Sequence, residues 1–166
     1  MHLPSLILIK ACVFTSVLAF LQVLKKPAGV FMYKNILIPV ALDGKRDTED
    51  QYSAAKAVSG EASRFTVLHV MEQIPRYIEA QIPEDIRASA LNEVKMELKQ
   101  AATSLKGASS VLLSGHAGRS IVDYANGHDI DCIVVASHLR VVSDVFLGST
   151  AAWIVRHSKC SVHVLR

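Results

Sequence analysis

The sequence predicts an α/β fold: an open, doubly wound, five-stranded parallel sheet with helices on both faces. Three observations predict it. Short β-rich apolar runs recur five times between residues 35 and 165. A stretch with helical spacing or helix-start chemistry separates each run from the next, and that alternation implies parallel strands covered on both faces. Hydrophobic residues make up 51% of the 166-residue chain, enough for a sizeable core and against disorder.

Residues 35–40 (NILIPV) form the first expected strand, with Pro39 at its end, where a missing N–H is tolerated. A polar loop, DGKRD, occupies 43–47. Thr48-Glu49-Asp50-Gln51 has the form of a capping box and opens an alanine-rich helix. Its apolar face is Tyr52, Ala55, Val58 and Ala62. Residues 65–70 (FTVLHV) form the second strand. The stretch around 71–83 holds Pro75 and Pro83, has no clean period and reads as a long, mobile loop. Pro83, followed by Glu84 and Asp85, suits a helix start. Leu91, Val94, Leu98, Ala101 and Leu105 then make one apolar stripe over 84–106, and Gly107 stops the helix. Residues 110–113 are a third, weaker strand. Residues 115–118 read as a turn and 119–126 as a short helix, with Gly127 as its cap. Residues 131–136 (DCIVVA) are the fourth strand, 137–147 a loop, 149–157 a helix and 161–165 (SVHVL) the fifth strand. The crossovers are expected to be right-handed.

Residues 3–24 are apolar but interrupted by Pro4 and Lys10. The segment is long enough to span a bilayer if helical. Its charges, Lys25 and Lys26, follow the apolar run, the reverse of a secretory signal. With Lys34 they would keep the following domain in the cytoplasm. An anchor, an interfacial segment and a mis-assigned start are the open readings. The expectation is a start at Met32, a cytoplasmic domain over 32–166, and membrane contact only if 1–31 is genuine. The three lysines in 1–31 account for the whole net charge of +3, leaving 15 basic residues against 15 acidic ones in 32–166. A neutral domain lacks the charge footprint of a nucleic-acid binder. The three cysteines, Cys12, Cys132 and Cys160, form no disulfide framework and no CxxC pair.

In an open parallel sheet, ligands bind beyond the carboxyl ends of the strands, where strand order reverses. Two loops qualify. The first carries Asp43, placed to accept hydrogen bonds from ribose hydroxyls. The second leads into Gly148-Ser149-Thr150 at a helix start, where free N–H groups favour a phosphate. The alternative for Gly148-Ser149 is an ordinary N-cap. No Walker motif is present. His138 could touch phosphate or carry a proton, and Arg140 could neutralise a phosphate; a solvated loop histidine and a surface charge are the alternatives. His157, Cys160 and His163 straddle a helix end and a strand, so convergence on a metal is not expected. His69 reads as a strand residue with a satisfied hydrogen bond. No nucleophile, base and orienting group come together.

The blocks NILIPV with Asp43, VLHV, GHAGRSIVDYA, and DCIVVASH with LGSTAAWIVRHSKCSVHVLR together resemble the universal stress protein family over residues 32–166. The resemblance implies strand order 3-2-1-4-5 and a homodimer through the C-terminal strand. It also implies a regulatory, stress-responsive protein that binds ATP, with Mg²⁺ as its companion, and at most slow hydrolysis. The implied nucleotide contacts are Pro39, Asp43, Val70, Ala136, Ser137, His138, Gly148, Ser149 and Thr150, with Val70 facing adenine through its backbone. The family's ATP motif has a glycine, two residues, a second glycine, nine residues, then Gly-Ser or Gly-Thr. Here Ala136 and Leu139 replace the two glycines, and only eight residues precede Gly148. Those replacements favour an alternative: a stress protein that binds no nucleotide and acts through protein contacts.

Overall fold

The computed structural model describes residues 32–42, 48–137 and 148–165. Asp43, His138, Leu139, Arg140 and the apolar extension lie outside the described residues. The elements in chain order are β1 (Tyr33–Pro39), α1 (Glu49–Ala57), β2 (Ser59–Met71), α2 (Arg76–Glu79), α3 (Glu84–Thr103), β3 (Ser109–Ser114), α4 (Ala117–Gly127), β4 (Cys132–Ala136), α5 (Ser149–His157) and β5 (Ser161–Leu165). All strand pairs are parallel, and the order across the sheet is β3-β2-β1-β4-β5. This is the architecture and the strand order expected.

Strand alternation divides the core into two layers. Ile36, Ile38, Val40, Val67, Cys132 and Val134 face one side and pack with Tyr52 and Ala55 of α1 and with Leu98 and Ala102 of α3. Leu37, Leu68, Ile133 and Val135 face the other and pack with Ile121, Val122 and Ala125 of α4 and with Ala151 and Ile154 of α5. β1 and β4 are therefore covered twice, which is why both read as continuous apolar runs. Each fully buried Ile or Leu contributes about 1.5–3 kcal/mol relative to exposure.

Several elements differ from expectation. β2 runs thirteen residues, so Ala62 belongs to a strand, where it is exposed. The helix α1 ends before it: Val58 N–H donates to Ala54 O, and Ser59 Oγ donates to Lys56 O. Gly60 N–H then donates to Ser63 Oγ, and after an irregularity the ladder resumes at Asn35↔Arg64. The expected loop over 71–83 contains α2, a single turn whose first acceptor is Pro75 O, bonded by Ile78 and Glu79.

The α3 stripe is buried only at Leu98 and Leu105, while Leu91 is 36% exposed and Ile86 56%. Twenty helical residues reach about 30 Å, whereas the six of β3 reach about 20 Å. The helix outruns the strand, and its first half keeps apolar side chains in water. Its end tightens into i→i+3 bonds, Leu105 N–H to Ala102 O and Ala108 N–H to Leu105 O, and Gly107 supplies a left-handed residue at φ 75°.

The turn expected over 115–118 is already helical from Ala117, with His116 as N-cap and its Nδ1 accepting from Arg119 N–H. Gly127 is the last helical residue; the left-handed position is Asp129, at φ 52°. A short acidic side chain tolerates that conformation better than most. Among the described residues no helix is long and apolar enough to cross a membrane.

Candidate functional site

β1 lies between β2 and β4, so chain direction across the sheet reverses there. β1 and β4 pair only at Ile36↔Cys132 and Leu37↔Ile133 before they diverge. A cleft of about 310 Å³ opens at their carboxyl ends, with Pro39, Val70, Ala136 and Thr150 among its walls. A ligand site at this switch point follows from the topology.

The polar floor of the cleft is made by strand ends that the sheet no longer pairs. Val40 N–H donates to Leu68 O at 2.8 Å, the last ladder bond between β1 and β2. The next would run from Val70 N–H to Val40 O. Val40 O instead meets Nδ1 of His69 at 2.8 Å. A carbonyl can only accept, so Nδ1 carries the hydrogen and the tautomer is fixed. Val70 lies two residues beyond Leu68, so its backbone polar groups point to the same side, into the space β1 has left. His69 also lines the cleft.

Gln51 is the one buried polar residue among the described residues, at 3% exposure. Its Nε2 donates to Pro39 O at 3.0 Å and to Val134 O at 3.1 Å. The capping box expected at Thr48 is not formed: Thr48 has helical backbone angles and makes no side-chain cap bond. Gln51 has turned inward to bridge β1 and β4. A glutamine three residues after a threonine at a helix start signals a cap, and nothing local marks the two carbonyls that outbid it.

The opposite wall joins β4 to α5. Ser137 N–H donates to Leu165 O at 2.8 Å, and Ser137 Oγ accepts from Gly148 N–H at 3.1 Å. Gly148 is the N-cap of α5, has no side chain to cap with, and accepts from Ala152 N–H at 2.8 Å. The ordinary serine cap at Ser149 is therefore absent. Among the described residues no side chain caps this first turn, whose N–H groups at Ser149, Thr150 and Ala151 have no intrahelical acceptor and suit an anion.

Of the expected contacts, Pro39, Val70, Ala136 and Thr150 line the cleft, Ser137 and Gly148 are bonded to each other, and Ser149 is exposed. Asp43 and His138 lie outside the described residues. His69 is the strand residue with a satisfied hydrogen bond that was expected, but its place in the cleft, like that of Gln51, was missed by sequence reasoning.

Away from the cleft, His157 stacks on Trp153 at 4.2 Å, with its Nδ1 2.8 Å from Trp153 O. Cys160 packs with Val162 and Val164 against the α4–α5 layer, and the alternation of β5 turns His163 the other way. Among the described residues no group of three or more His, Cys, Asp or Glu side chains could hold a metal ion. Burial pushes the Cys132 thiol up to about 12 and raises that of Cys160. The two thiols belong to opposite faces of the sheet.

Known proteins are similar to this chain in sequence and fold. The Universal stress protein A homolog 2 of Coxiella burnetii (strain RSA 493 / Nine Mile phase I) is 27% identical over 139 residues, covering 81% of this chain and 95% of the relative. The solved universal stress protein UspA from Lactobacillus plantarum is 25% identical with a TM-score of 0.58, covering 81% and 99% of the two chains. The universal stress protein from Archaeoglobus fulgidus, solved in complex with dAMP, has the same fold at 17% identity and a TM-score of 0.55, covering 81% and 99%. The model of the Universal stress protein family matches residues 32–166, from the start of β1 through both walls of the cleft to the end of β5. By its sheet order, its cleft and that match, the chain belongs to the universal stress protein family.

Proposed function

We propose that this chain is a stress-responsive regulatory protein that holds an adenine nucleotide, ATP with Mg²⁺, in the cleft between β1 and β4 and works as a cytoplasmic homodimer. One observation carries the reading: the start of α5, which makes no side-chain cap bond among the described residues, faces the same cleft as Val70 at the end of β2. One end suits phosphates, the other a base edge. Asp43 and His138 join the site on the family resemblance. The dAMP complex of the Archaeoglobus fulgidus relative supports the ligand class. The role is binding rather than turnover, with at most slow hydrolysis.

Calorimetric titration of the full chain with ATP and Mg²⁺ tests it. Gly148→Ala is the probe, because among the described residues a Cβ there meets only Ser137 Oγ, at 3.9 Å. The variant is expected to keep its unfolding midpoint and to lose about tenfold or more in ATP affinity, equivalent to about 1.4 kcal/mol. A second reading, a stress protein acting through protein contacts without nucleotide, is favoured by Ala136 and Leu139 in place of glycines and by the Gly148 N–H already given to Ser137. No heat at high protein concentration, with no co-purifying nucleotide, decides for it.

A further inference from the structure

We propose that Gln51 is a positioning residue of this cleft: its buried amide occupies the carbonyls of Pro39 and Val134, so that neither acceptor opposes a bound anion. The inference rests on the nucleotide reading above and adds a residue that the resemblance does not supply.

The carboxyl end of a parallel sheet presents carbonyl oxygens. β1 and β4 stop pairing at Leu37↔Ile133, which leaves the later carbonyls without ladder partners. The Gln51 amide has two N–H groups, and two of these carbonyls lie at 3.0 and 3.1 Å from its nitrogen. The bridge is nearly closed to solvent, so water does not substitute for it cheaply. Gln51, Pro39 and Thr150 line one cleft, so the bridged carbonyls and the uncapped turn of α5 act on the same ligand. Carbonyl dipoles left bare there would repel phosphate oxygens far more than an uncharged nucleoside. The bridge also ties α1 to both strands.

The test compares the wild-type chain with Gln51→Met, of similar length and without donors, and with Gln51→Glu, which puts acceptors where the donors were. Calorimetry with ATP and Mg²⁺ is run beside calorimetry with adenosine. Affinity for ATP is expected to fall about tenfold in Gln51→Met and further in Gln51→Glu, while affinity for adenosine changes less than about threefold in both. A structural role alone moves both ligands together, so equal losses, or no loss of ATP, overturn the proposal. If the wild-type chain binds neither ligand, the nucleotide reading fails by itself. Gln51 is then judged by hydrogen exchange in the ligand-free chains. Faster exchange at Val40 and Ser137 in Gln51→Met, beyond the change at sheet amides remote from the cleft, supports the positioning role; exchange there that is unchanged, or that rises only as much as at the remote amides, overturns it.

Discussion

Cys132 sits with no exposed surface between two sheet neighbours, and burial holds its thiol protonated up to about pH 12. An unfolded thiol titrates at about 8.5. Between those values the unfolded chain has lost a proton that the fold retains, so stability falls as pH rises. Below the lower value the group contributes no pH dependence. Urea unfolding at pH 7.5 and 9.5 is expected to differ by about 1.4 kcal/mol through this group, and Cys132→Ala to flatten the slope. Glycines give a second contrast. A Cβ at Gly118 would meet Trp153 at 2.8 Å. Gly118→Ala is expected to cost about 1–3 kcal/mol despite better helix propensity, with a shift in Trp153 fluorescence. Gly127, helical and open to space, is the control: Gly127→Ala is expected to stabilise by about 0.4–1 kcal/mol. Both glycines are visible in the sequence, but their opposite meanings depend on a tryptophan more than 25 residues away.

β5 is the outer strand beside β4. Ser161 N–H donates to Asp131 O, and Leu165 O accepts from Ser137 N–H, so the odd-numbered residues face β4. Val162 and Val164 then direct their backbone groups to the open edge. If the proposed dimer pairs through this strand, Val164→Pro removes an edge N–H without breaking the sheet. Light scattering is expected to show a loss of dimer mass with a small change in melting temperature. His163→Pro is expected to destabilise the fold itself. An unchanged mass for Val164→Pro would count against pairing at this edge. The strands were the most legible elements, because a doubly buried strand is a short continuous run of Val, Ile and Leu. Helix ends were less so: α3 stops through i→i+3 bonds four residues before the glycine that marks its end, and β2 begins six residues before its apolar run.

The family match and the sheet both begin at the same place, residue 32 or 33. A fragment covering 32–166 is therefore expected to unfold at the same temperature and with the same cooperativity as the full chain; a lower midpoint by calorimetry would mean that the extension contributes to the fold. Alternation of apolar runs with helical stretches determined the α/β class, the parallel sheet and the helices on both faces, because burial on two sides leaves a composition that any single segment displays. The blocks around Gly148-Ser149-Thr150 and VLHV carried the family and pointed to the carboxyl ends of the strands, where a cleft opens. Tertiary structure alone decided how the cleft is built. Gln51 gave up a local cap for two carbonyls from strands 12 and 83 residues away, His69 took the carbonyl that Val70 would have bonded, and Ser137 took the N–H of Gly148. A side chain's hydrogen-bond partner is set by which unpaired group the fold brings within reach; the missing N–H of Pro39 marks where pairing with β4 ends, but not which side chain takes the carbonyls left over.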